Sequence, residues 1–141
     1  MTKDEIQKES MKDSQNWLDT GTGKLGRVFL EIIGCNDLPN LDTGGRNKTD
    51  TFVSIVYEDS VMKTDVIDDC LNPRFLPWMR RAFIFHMFHT SSQIFLGAFD
   101  YDESLNPADD HGTLVVLLRR DCSRCPILKH FSSPLMLYFS S

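Results

Sequence analysis

Apolar positions in this chain fall in short runs separated by clusters of Gly, Pro, Asn, Asp and Ser. Over Arg27–Ile33, Val28, Leu30 and Ile32 alternate with Phe29, Glu31 and Ile33, the pattern of a strand that buries one face. Thr51–Tyr57 is β-branched and aromatic, and Val61–Ile67 reads as a mixed strand at a sheet edge. Ala82–Phe88 and Gln93–Phe99 are rich in Phe and Ile, Gly112–Leu118 follows, and Leu135–Phe139 is placed to close a sheet. Strands of this length punctuated by turns predict an all-β sandwich. Residues 1–23 are polar, with Ile6, Met11, Trp17 and Leu18 scattered among charges, and predict a flexible or weakly helical lead-in. Thr20-Gly21-Thr22-Gly23 ends that segment, and residues 24–141 form the predicted domain.

At 141 residues and 41% hydrophobic content, the chain suits one folded domain with a substantial core. Its net charge of −5 is unevenly placed. The segments Leu41–Asp50 and Phe99–Asp110 carry Asp42, Asp50, Asp100, Asp102, Glu103, Asp109 and Asp110 against only Arg46 and Lys48, so they hold the whole excess. The polar start Met1–Ser10 does not resemble a secretory signal, and Thr2 excludes the glycine that myristoylation requires. No run approaches the roughly 18 apolar residues of a membrane span. Four cysteines (Cys35, Cys70, Cys122 and Cys125) without such a signal are expected to be reduced thiols of a cytoplasmic protein, with any membrane association peripheral.

Like charges concentrated at strand ends repel one another unless a cation offsets them. Calcium takes about six to eight oxygen ligands in irregular geometry, which suits carboxylates on loops. Asp100 and Asp102 lie two apart where a strand ends, and Asp109 follows across the Asn106-Pro107 bend. Asp42 and Asp50 bracket a loop containing Gly44-Gly45. The spacing of an EF-hand is absent, so the expected site forms where two loops meet at one end of the sandwich.

The order of short motifs adds to this. Leu38-Pro39-x-x-Asp42, Thr49-Asp50-Thr51-Phe52-Val53, Lys63-Thr64-x-Val66, Leu71-Asn72-Pro73-x-Phe75, Phe99-Asp100-Tyr101-Asp102 and Asp109-x-x-Gly112 follow one another over roughly residues 24–118. This series resembles a C2 domain, the calcium-regulated membrane-binding sandwich of protein kinase C, synaptotagmins and phospholipases. The resemblance implies an eight-stranded antiparallel fold with calcium held between its first and third loops, by Asp42, Asp50, Asp100, Asp102 and Asp109. With no strong strand before Arg27, the permuted topology is expected, in which Pro134–Ser140 supplies the last strand. Four departures stand out. The first loop carries extra residues, Arg46-Asn47-Lys48, and the third is also longer, so that Asp109 is placed by counting back from Gly112. Leu76-Pro77-Trp78-Met79-Arg80-Arg81 stands where the family usually shows an acidic or amide pair, and Arg119–Ser141 matches no family pattern.

The resulting expectation is a calcium-dependent phospholipid-binding module for anionic membranes. Arg46 and Lys48 would meet phosphates and Leu105 would dip toward the acyl chains. Alternatives are a calcium-independent scaffold that docks a protein, or a regulatory piece of a lipid-modifying enzyme such as a phosphatidylserine decarboxylase or phospholipase. The chain itself shows no catalytic motif. Gly21-Thr22-Gly23-Lys24 lacks the frame of a P-loop, no nucleophile elbow is present, and His86, His89 and His111 have no evident catalytic partners. Cys122-Ser123-Arg124-Cys125 with His130 falls one ligand short of a structural zinc site. Bases interleave with acids throughout, which argues against nucleic-acid binding.

Overall fold

The computed structural model describes residues 1–40, 48–89 and 91–101 with their side chains, and residues 112–121, 127–132 and 135–140 as backbone strands. The elements run α1 (Lys3–Ser10), β1 (Trp17–Thr20), β2 (Gly26–Cys35), β3 (Thr51–Tyr57), β4 (Ser60–Lys63), β5 (Ala82–Met87), β6 (Gln93–Tyr101), β7 (Gly112–Asp121), β8 (Ile127–Ser132) and β9 (Leu135–Ser140). They build two sheets, ordered β1-β5-β2-β9-β8 and β4-β3-β6-β7.

The alternation read along the chain is the alternation that packs. Val28, Leu30 and Ile32 of one sheet meet Val53, Ile55, Ile94 and Leu96 of the other, with Phe83 and Phe85 filling the space between. Each such side chain contributes about 1.5–3 kcal/mol by leaving water. β9 pairs antiparallel with β2, Leu30 opposite Phe139, and with β8 on its other edge. The C-terminal strand therefore lies beside the first long strand, as the permuted topology expects. β8 falls within Arg119–Ser141, the stretch that the sequence reading matches to no family pattern.

Two elements differ from the expectation. The predicted strand over Val61–Ile67 stops at Lys63. There Thr64 exchanges bonds with Val53, its N–H donating to Val53 O (2.9 Å) and its hydroxyl accepting from Val53 N–H (2.9 Å). Pairing resumes as a single bridge between Ile67 and Thr51.

The lead-in contributes the second difference. Helix α1 starts on a capping box, in which Thr2 accepts from the Glu5 N–H and Glu5 returns a bond to the Thr2 N–H. β1 then adds an edge strand parallel to β5, with Leu18 opposite Phe83. The end of α1 and the segment that leads to β1 are held by Arg81, which is fully buried. Its guanidinium donates to Ser14 Oγ (2.7 Å) and to the carbonyls of Ser10 (2.7 Å), Lys12 (2.6 Å) and Phe75 (2.7 Å). The link from β1 to β2 crosses the end of β5 so closely that a Cβ on Gly23 would lie 2.1 Å from Met87 C and O.

Candidate metal-binding site

The register of β3 on β6 decides what the loop ends can do. Thr51 lies opposite Asp100, so Asp50 immediately precedes β3 where Asp100 and Tyr101 end β6. The Asp50 N–H donates to Asp100 Oδ1 (2.9 Å), and the Tyr101 N–H donates to Asp50 O (2.7 Å). Two acidic residues fifty apart in sequence are thus tied at one end of the sandwich, the Asp100 carboxylate to the Asp50 backbone. Asp100 is 2% exposed and Asp50 is half-buried.

The roots of the loops are pinned from below. The Thr49 hydroxyl donates to Pro39 O (2.9 Å), the Cys70 N–H to Thr49 O (3.1 Å) and the Leu38 N–H to Leu71 O (2.9 Å). Asn72, in the Leu71-Asn72-Pro73 turn, accepts from the Asp37 N–H through its side-chain oxygen (2.8 Å). On the outer sheet face Phe52 stacks on Phe99 with centroids 5.5 Å apart and meets Tyr101 edge-on, while the Lys63 ammonium sits 5.8 Å from the Phe52 ring. These contacts make the strand ends beneath Asp50 and Asp100 a firm platform.

Of the expected ligands, the structure brings Asp50 and Asp100 together. Asp42, Asp102 and Asp109 lie outside the described residues, as do the lipid-contact candidates Arg46 and Leu105. Lys48 is exposed beside the site, and its backbone N–H donates to Asp69 Oδ1. Among the described residues no group of three or more His, Cys, Asp or Glu is arranged to hold a metal ion.

Sequence reasoning missed two residues here. Asp69, held at φ 53°, donates its N–H to Asp50 Oδ1 (2.7 Å) and so locks that carboxylate between two segments. The doublet Asp68-Asp69 just before the Asn-Pro turn was the available signal. Thr51 is fully buried and its Oγ1 has no hydrogen-bond partner among the described residues. Carboxylate and hydroxyl oxygens, with no nitrogen or sulfur among them, fit a hard oxygen-seeking cation such as calcium.

The family model for the C2 domain matches residues 26–131. Among solved structures, calcium-bound Extended-Synaptotagmin 2, represented by a pair of C2 domains, is 18% identical, with a TM-score of 0.65 over 82% of this chain and 45% of that one. A single C2 domain of plant Extended Synaptotagmin 1 gives 15% identity and a TM-score of 0.66 over 84% of this chain and 95% of that domain. Human GIVD cytosolic phospholipase A2, in complex with methyl gamma-linolenyl fluorophosphonate and terbium chloride, gives 17% identity and a TM-score of 0.63. That match takes in 81% of this chain but only 16% of the phospholipase. At these identities the likeness establishes the fold. No curated protein matches the chain in sequence. No helix among the described residues is long and apolar enough to cross a membrane.

Proposed function

This chain belongs to the C2 domain family, which supports a lipid-binding module, and from that premise we propose calcium-dependent binding to anionic phospholipid surfaces. The observation that carries the reading is the Asp50–Asp100 junction, where the Asp50 N–H donates to Asp100 Oδ1 (2.9 Å) at the mouth of both acidic loops. Asp42, Asp102 and Asp109, in the acidic stretches that adjoin Asp50 and Asp100 in sequence, are the remaining proposed ligands. Bound calcium would supply positive charge and coordination positions open to lipid oxygens.

The chain's own residues set the direction of the switch. Its excess of −5 lies entirely in the two loops, so without a divalent ion this end repels an anionic leaflet. Unit charges about 4 Å apart interact by roughly 4 kcal/mol at an effective dielectric of 20, enough for a local reversal of sign to decide attachment. Arg46 and Lys48 would add phosphate contacts of about 1 kcal/mol each near the surface, and Leu105 an apolar one. The module works as a peripheral membrane attachment and carries no catalysis of its own.

Sedimentation with phosphatidylserine-containing vesicles tests the proposal. The chain is expected to pellet with vesicles in calcium, to stay in solution with a chelator, and to bind less as salt rises. Pelleting that a chelator leaves unchanged overturns it.

A further inference from the structure

Thr51 stands apart from the other hydroxyls around the loop roots. Thr49 Oγ1 donates to Pro39 O, and Thr64 Oγ1 accepts from Val53 N–H while donating to Asp65 O (2.9 Å). Thr51 Oγ1 is as deeply buried and has no partner among the described residues. A buried hydroxyl left this way weakens the fold relative to an isosteric methyl group, so strand propensity alone would be served better by valine.

Its place in the sheet shows what the hydroxyl faces. Thr51 spends both backbone groups on Ile67, its N–H donating to Ile67 O (2.9 Å) and its carbonyl accepting from Ile67 N–H (2.8 Å). Its pairing with Asp100 on the other side is therefore of the non-hydrogen-bonded kind, in which facing side chains approach most closely. Directly opposed residues of an antiparallel pair project to the same sheet face. The lone hydroxyl thus shares a face with the Asp100 carboxylate, itself buried and already bonded through Oδ1 to the Asp50 N–H.

We propose that Thr51 is a positioning residue of the cation site, its hydroxyl supplying the inner hydrogen bond that orients the Asp100 carboxylate for a divalent ion. The inference rests on the calcium reading given above. A hydroxyl is suited to the task because it donates toward a carboxylate yet adds no charge.

The test uses the full chain and its Thr51→Val and Thr51→Ser variants, each melted in chelator and in millimolar calcium and titrated with calcium. Thr51→Val is expected to melt in chelator at or above the unaltered chain, yet to lose about tenfold in calcium affinity, with a smaller calcium-induced rise in Tm. Thr51→Ser keeps the hydroxyl and is expected to hold calcium affinity within about twofold, although losing a methyl group lowers its Tm in chelator. Unchanged calcium affinity in Thr51→Val overturns the proposal, and so does an equal loss in both variants, which would assign the effect to packing. If the unaltered chain shows no calcium-induced rise, the calcium reading fails and takes this inference with it.

Discussion

Replacing Arg81 with methionine keeps the length of the side chain and removes every donor. The guanidinium makes four hydrogen bonds, three of them to the carbonyls of Ser10, Lys12 and Phe75. Burial draws its pKa down from the ordinary value, and the nearby carboxylates Glu31 and Asp13 draw it back up. Bonds from a charged donor contribute about 1.5–3 kcal/mol each in isolation, but the desolvation of a fully buried cation cancels much of the total. Removing one side of such a network costs about 3–5 kcal/mol when its partners stay buried. Ser10 and Lys12 belong to the lead-in and regain water once it lifts, which places the expected loss near the lower figure, about 3 kcal/mol. For a domain of this size that corresponds to a fall in Tm of about 6–12 °C. Calorimetry reads the fall, and amide exchange reads its location, with protection lost first over residues 10–20 and last in β2 and β3. A variant that melts within about 2 °C of the parent, with the lead-in still protected, would refute the role assigned to Arg81.

Three further outcomes are expected. Burial raises the Glu58 carboxyl, but hydrogen bonds from Phe88 N–H, Ser92 Oγ–H and His89 N–H, helped by His89, outweigh it and hold the pKa below its ordinary 4.5. The stability this gives is complete above that value and lost as pH falls through the depressed one, so Glu58→Gln should narrow the difference between urea midpoints at neutral pH and at about pH 3; an unchanged difference contradicts this. Burial pushes the Cys35 thiol up to about 12, Arg74 opposing and Cys70 adding to the rise, so alkylation of the native chain should reach Cys70 first and Cys35 only on unfolding. Peptide mass mapping that finds equal rates would contradict the burial. Gly23→Ala drives a Cβ into the Met87 backbone and is expected to cost about 1–3 kcal/mol, read as a lower urea midpoint; tolerance of alanine would contradict the close crossing.

The core was legible because strand periodicity and burial follow the same physics. Val28, Leu30 and Ile32 on β2 alternate in sequence as they do in exposure. The pairing of Asp50 with Asp100 was also accessible, since both stand where an apolar strand meets an acidic loop. The permuted closing strand followed from the lack of a strong strand before Arg27. What remained hidden depends on single long-range bonds. β1 has only Trp17 and Leu18 as apolar residues among its four, and its place comes from parallel pairing with β5, with Arg81 anchoring the segment before it. The Leu76–Arg81 stretch reads in sequence as a bare departure from the family pattern. Its last residue proves to be the clamp for the lead-in. Thr51 reads in sequence as an ordinary β-branched strand residue. Its missing hydrogen-bond partner becomes visible only when β3, β6 and Ile67 are assembled around it.

Whether the two acidic segments share one divalent ion is read most directly by calorimetric titration of calcium into the chelator-stripped chain. Saturable binding is predicted for the unaltered chain, with at least a roughly tenfold loss of affinity in Asp50→Asn and in Asp100→Asn, since each variant removes the charge of one proposed ligand. No binding by the unaltered chain, or binding that both variants leave intact, would contradict a shared ion.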